Sequence, residues 1–479
     1  MSSEITLATQ READPLVFVS SYTTFSNLAH APRGTPAKHG ISVYRLHKET
    51  GTLTLLTVNN DLQNPSFFRY HPKLNVLYTC TESIKDNDTI ASFAVSPTTG
   101  QLTPMGSQSA EGKSTCYLTV DIPQTHMLFV NYWDSVIGTM PVDGGGRLSA
   151  VSHKRKPHQP VVARDLQDHL DNRQLEPHAH AIVLDPYWGR GEGATSLAPH
   201  TTCLMSRLLF IISSFVSYHF LPVALVPDLG EDDIKQYVYD EETGELHPTV
   251  SLPCGHKTDA PHGPRYLAFH PSSNIVYVVN ELSSTVSVFT FNAAVAHALQ
   301  PGSQESTLEM IQSISTIPSA FPKHLNTCGR ICVDPTGKYV LVSNRGHDSI
   351  AVFEIDNDSD SCGEGGKLSI ISFTHTRGRT PRHFQFDPSG EFLISANQDN
   401  DTLSIFRFDN SSGLLKFTGE TYDVCSPNFV AIIRYVHAGS MSTDIASQLD
   451  NCCTLSSASP PHLYASHSTG HTPMGGGST

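Results

Sequence analysis

Tryptophan is nearly missing from this 479-residue chain: Trp133 and Trp188 are the only two. No GH…WD signature recurs, which argues against a WD-repeat interaction scaffold. Basic residues are also scarce, with 31 Lys and Arg against 46 Asp and Glu. A net charge of −15 disfavours nucleic acid and anionic membrane as partners, while leaving room for a local basic pocket. The ten cysteines include no Cys-x-x-Cys pair and no His/Cys spacing that suits a metal, so reduced, structural thiols are expected. The opening MSSEITLATQREADP lacks a basic-then-apolar signal pattern. A cytoplasmic location is the corresponding expectation.

What the chain does have is one pattern in many copies. Residues 261–291, PHGPRYLAFHPSSNIVYVVNELSSTVSVFTF, read as three short strands separated by polar turns. Further copies stand at 328–356 and 380–409, with weaker ones at 65–95, 115–143 and 177–186, the last resuming at 223–240. A seventh copy, SPNFVAIIRY (426–435), has a first strand only. The strands it lacks lie at the other end of the chain, in LVFVSSYTTF (16–25), GISVYRLH (40–47) and LTLLTV (53–58). A ring of radial four-stranded sheets removes exposed edges if the two chain ends complete the last blade together. The expected fold is therefore all-β: a seven-bladed β-propeller over 16–435, after a flexible N-terminus (1–15) and before a Ser-, Thr-, His- and Gly-rich disordered tail (436–479).

The repeat fails in one place. In four copies the residue opening the first turn and the polar residue ending the second strand are ten apart: Asp121 and Asn131, His270 and Asn280, Asp334 and Asn344, Asp387 and Asn397. From Asp185 to Asp228 the interval is forty-three, an excess of about 33 residues inside a hairpin that elsewhere turns tightly. The segment 190–222 fills it. Its apolar half raises a transmembrane reading, but it carries Ser213, Ser214, Ser217, His219 and Pro222, and a membrane helix would tear the blade. A lid is a second reading. The favoured one is a translated intron: Gly191-Glu192-Gly193 can be encoded as a splice donor, and Phe220-Leu221-Pro222-Val223 as a pyrimidine tract with its acceptor.

In a propeller blade the innermost strand starts at the face where its antiparallel neighbour ends, so both sets of residues meet at one mouth of the channel. The starts supply His178, His180, Arg265, Arg382, His383 and Asn428; the ends supply Glu82, Asn131, Asp228, Glu281, Arg345 and Asn397. Channel mouths of this kind are the usual ligand sites of closed β architectures. Guanidinium groups with a glutamate and a histidine suit an anionic carbonyl substrate, since arginines hold the anion or a developing oxyanion and the others move protons. The plain alternative is a structural ion pair between Arg265 and Glu281.

GPRYLAFHPSSNIVYVVNELSSTVSVF, EPHAHAIVLDP, VPDLGEDDIKQY and SPNFVAI resemble the seven-bladed lactonase family, which contains bacterial-type 6-phosphogluconolactonases and fungal carboxy-cis,cis-muconate cyclases. The similarity runs from Leu16 to Arg434, the insertion excluded. The resemblance implies an active site of a His, an Arg, a Glu and a second Arg. These fall on the PHAH segment, with His178 preferred to His180, on Arg265, on Glu281 and on Arg345. His180, Arg382, His383 and Asn428 are the expected substrate-binding residues. The implied function is hydrolysis of a small anionic sugar lactone, 6-phosphogluconolactone first, with Glu281 or the histidine as base. Muconate cyclisation and a noncatalytic binding propeller are the alternatives. No metal or organic cofactor is implied, and the insertion beside PHAH is the departure from the family pattern.

Overall fold

A computed structural model describes residues 14–157, 172–187, 221–255, 261–356 and 365–435. Residues 1–13 of the expected N-terminal segment 1–15, most of the 190–222 insertion and the 436–479 tail lie outside them. The described residues form seven four-stranded antiparallel sheets arranged as blades. The innermost strands are Pro65–His71, Thr115–Val120, Val183–Leu184, Pro264–Phe269, Thr327–Val333, Pro381–Phe386 and Pro427–Ile433, for blades 1 to 7 in that order. In blade 7, Pro427–Ile433 pairs with Leu16–Ser21, Leu16 opposite Ile433 and Ser20 opposite Phe429, and Ile41–Leu46 and Leu53–Asn59 complete the sheet. The chain ends thus close the ring within one sheet.

Burial follows from each blade lying between two neighbours. The second strands are covered on both faces, and Ile275–Asn280 and Phe392–Asn397 are buried at every position. Their sequences, IVYVVN and FLISAN, read accordingly as unbroken apolar runs with one polar terminus rather than as alternation. Outermost strands such as Leu102–Ser109 keep one face in solvent. The terminal asparagines are committed to the scaffold. Asn344 Nδ2 donates to the Thr316 carbonyl at 2.7 Å, and Asn131 accepts from Thr115 Oγ1 at 2.8 Å.

The Asp turns have a direct cause. Asp334 Oδ1 accepts the Lys338 and Tyr339 amides, both at 2.7 Å, and Gly337 takes the positive φ of 71° that the turn needs. In blade 4 His270 replaces the aspartate, its Nδ1 accepting the Ser272 and Ser273 amides at 3.1 and 2.9 Å. Each of these turns closes on the fifth residue: the Asp334 amide bonds the Tyr339 carbonyl, and Asp387 bonds Phe392 likewise. In blade 3 the Asp185 amide bonds Val223, thirty-eight positions on, with Leu184 opposite Ala224. The hairpin therefore pairs normally around 33 surplus residues. Among the described residues no helix is long and apolar enough to cross a membrane. Cys80, Cys116, Cys254, Cys328 and Cys425 are free thiols, as expected. Cys332 departs from that expectation, being disulfide-bonded.

Candidate active site

Two repeat positions build the mouth. The first is the second residue of the innermost strand, where the ladder slips by one residue in five of the blades: between Pro65 and Phe67, Thr115 and Tyr117, Pro264 and Tyr266, Pro381 and His383, and opposite Ser20 and Ser21. Such a bulge turns a side chain out of the sheet. The residues so placed are Ser66, Cys116, Arg265, Arg382 and Asn428, and all five line one cavity. Blade 5 has a wider slip between Cys328 and Ile331, and its equivalent residue is Gly329. A Cβ there would stand 2.6 Å from Ser343 Oγ and 2.9 Å from the Arg382 carbonyl, so no side chain fits.

The second position is the residue just beyond the second strand, whose amide bonds back across the blade. Glu82 bonds the Asn64 carbonyl, Tyr132 bonds Ser114, Glu281 bonds Gly263 and Tyr22 bonds Ser426. With Arg345 in blade 5, these residues surround the cavity above the first ring. The outer cavity has about 460 Å3 of atom-free space, mouth included, and the inner one about 310 Å3. Glu82, Cys116, His180, Arg265 and Arg382 border both. Aromatic rings floor the channel below, with Phe67 4.4 Å from Phe429 and 4.8 Å from Tyr117.

Glu281 lies at the centre of an arginine cluster. Its Oε2 receives Arg265 Nε at 2.9 Å and Arg345 Nη2 at 2.8 Å, and its Oε1 pairs with Arg173. Burial alone would raise this carboxyl, but Arg345, Arg173 and Arg265 overcome it and hold Glu281 well below the usual carboxylate range. Arg265 also donates to the Gly329 carbonyl at 3.0 Å, and Arg345 to the Cys328 carbonyl. Burial lowers Arg345 to about 10, against the pull of Glu281, so it stays charged at neutral pH.

Arg382 differs from these three. Its guanidinium lies 5.5 Å from the Tyr22 ring centroid, and among the described residues it makes no hydrogen bond or ion pair. The site then carries four arginines against two glutamates in a chain whose net charge is −15. This is the local basic pocket that the overall charge had left possible.

The histidines separate by register. Ala179 bridges Asp228, as Pro264 pairs with Asn280, so His180 takes the place that Arg265 takes in blade 4. His180 lines both cavities, edge-on to Tyr132 and Tyr266 at 5.0 and 5.3 Å. His178, preferred from the motif, borders neither cavity. It stacks behind Tyr132 at 4.7 Å, and its Nδ1 bonds the Tyr132 carbonyl at 3.0 Å. Burial, then Arg265, pushes His180 well below the ordinary imidazole value, leaving it neutral.

The other expected binding residues reach the inner cavity. His383 stacks on Phe429 at 3.8 Å, and its buried Nε2 has no hydrogen-bond partner among the described residues. Asn428 is committed to the closure of the ring, receiving Ser20 Oγ and donating to the Pro65 carbonyl at 2.9 Å. Burial pushes the Cys116 thiol upward, so it remains protonated and is no nucleophile. Arg173 was not expected; it comes from a short turn, Asn172–Gln174, outside the repeat.

The ring and its basic mouth define a propeller with a candidate small-molecule site at one end of its channel. The chain belongs to the lactonase family of seven-bladed β-propellers, whose family model matches residues 17–189 and 221–432 and passes over 190–220. It is 28% identical over 402 residues to a Bacillus subtilis protein named 6-phosphogluconolactonase, covering 83% of this chain and 95% of that one. A Formosa agariphila protein of the same name is 25% identical over 403 residues, covering 83% and 96%. Among solved structures, the periplasmic gluconolactonase of Pseudomonas aeruginosa superposes with a TM-score of 0.65 at 23% identity, over 88% of this chain and 99% of that one. That likeness is one of fold.

Proposed function

We propose that this chain hydrolyses a small anionic sugar lactone, with 6-phosphogluconolactone as the first candidate. The observation that carries the reading is Arg382: a guanidinium bordering both cavities whose donors are not used among the described residues. Membership of the lactonase family and the names of the curated relatives support the same reaction class. The phosphate would lie in the outer cavity against Arg173 and Arg345, which border that cavity alone. The lactone carbonyl would sit at the boundary, where Arg382 and Arg265 meet the developing oxyanion. His180 would orient the ring there, and His383 and Ser66 would meet its hydroxyls below. The reaction adds water to the carbonyl and breaks the ring C–O bond, and no step requires a metal or organic cofactor.

The test is the initial rate on freshly made 6-phosphogluconolactone, measured against spontaneous hydrolysis and beside gluconolactone and carboxymuconate. A rate well above background on the phosphorylated lactone supports the reading. Turnover of carboxymuconate alone would make the chain a cyclase, and no turnover with retained binding would make it a binding propeller.

A further inference from the structure

A lactone hydrolase needs a group that takes a proton from water, and the two expected candidates are placed poorly for it. Both oxygens of Glu281 are held by arginines. A base works best when its pKa lies near the working pH, and Glu281 is held far below it. His180 is pushed the same way.

A third group stands across the ring. Glu82 occupies in blade 1 the repeat position that Glu281 occupies in blade 4, and it borders both cavities. Its Oε2 accepts the Tyr22 hydroxyl at 2.6 Å. Its Oε1 makes no hydrogen bond among the described residues and is not sealed from the cavity; the nearest ring nitrogen, His30 Nδ1, is 3.9 Å away. The carboxylate is thus fixed through one oxygen and open through the other. Burial raises the Tyr22 hydroxyl well above its ordinary value, so Tyr22 donates and keeps its proton.

We propose that Glu82 is the general base of lactone hydrolysis, that Tyr22 positions it, and that Glu281 instead orders the arginines. This rests on the lactonase reading above. Glu82 Oε1 takes a proton from water as the water oxygen bonds to the carbonyl carbon, and the carbonyl π pair moves onto oxygen beside Arg382. When that pair returns, the ring C–O bond breaks and the leaving ring oxygen takes the proton from Glu82. The product is the hydroxy acid, which ionises to solvent.

The test compares Glu82→Gln with wild type. The expected result is a kcat lower by about 10²-fold or more, with KM and melting temperature nearly unchanged. Tyr22→Phe should lower kcat by about tenfold at constant KM, the scale of one hydrogen bond to a charged group. A folded Glu82→Gln enzyme with wild-type kcat overturns the proposal. Binding of 6-phosphogluconate, followed by calorimetry, gives a readout that does not depend on turnover. A carboxylate facing the reacting carbon repels the product carboxylate, so Glu82→Gln should bind this probe several-fold more tightly. Equal or weaker binding by the folded variant contradicts the assignment, even if the lactone turned over proves to be a different one.

Discussion

Glu82 and Glu281 are the same residue at the same point of the repeat, and the protein makes opposite uses of them. Each follows the last residue of a second strand and returns its amide to the residue just before the innermost strand of its own blade. The ring then gives them different neighbours. Beside Glu281 stand Arg265 from its own blade, Arg345 from the next and Arg173 from a loop. The bulge residue of blade 1 is Ser66 instead of an arginine, and the hydrogen bond to Glu82 comes from Tyr22. The repeat sets where a side chain points, while the identity of the adjoining blades sets its chemistry.

The largest way to break the comparison is to neutralise both glutamates separately. Glu281→Gln leaves three guanidiniums without their shared anion and should cost about 3–5 kcal/mol of stability, the usual scale for disrupting a buried ion network. Glu82→Gln should cost under about 1 kcal/mol, since an amide oxygen can still accept from Tyr22. Denaturant melts of the two variants measure this directly. Acid adds a second view. Glu281 has a lowered pKa in the fold, so its contribution is fully present above the unfolded value of about 4.3 and is lost as pH falls through the folded value. The wild-type protein should therefore lose stability below about pH 4, and Glu281→Gln should lack that part of the acid limb.

A smaller effect separates the histidines. His180→Ala should lower kcat/KM by about tenfold, whereas His178→Ala should change only stability, because it packs behind Tyr132. Equal catalytic losses would return His178 to the site. Arg173→Gln should raise KM by several-fold for the phosphorylated lactone and leave gluconolactone unaffected, about the scale of one partly exposed charge-assisted contact. The smallest effect concerns the turns. Deleting Gly191–Pro222 brings the blade 3 turn close to the five-residue closure seen in blades 5 and 6, and should raise the melting temperature by a few degrees. A lower melting temperature would overturn the intron reading.

The blades were legible in the sequence because the second strands advertise themselves as apolar runs with a polar end, Asn in three of them, and the joint closure because the last copy has a first strand only. The bulge position was legible too, by counting: Cys116, Arg265, Gly329 and Arg382 each stand five residues before the turn residue. The same count from Asp185 selects His180, so the motif-based preference for His178 overlooked a signal that was present. Asn131, Asp228 and Asn397, expected at the mouth as strand ends, are instead tied into the scaffold, and the mouth is formed by the residues that follow them. Arg173 had no such signal, because a loop residue outside the repeat has no register to count from.

The central claim, that one mouth holds an anion on its arginine side and a proton acceptor on its Tyr22 side, is tested most directly by a crystal structure with 6-phosphogluconate bound. The account predicts the phosphate against Arg173 and Arg345, with the C1 carboxylate beside Arg382 and its carbon facing Glu82 Oε1 without a direct hydrogen bond between the two carboxylates. A ligand lying the other way, with its carboxylate in the Arg173–Arg345 pocket and its phosphate beside Tyr22, would contradict it.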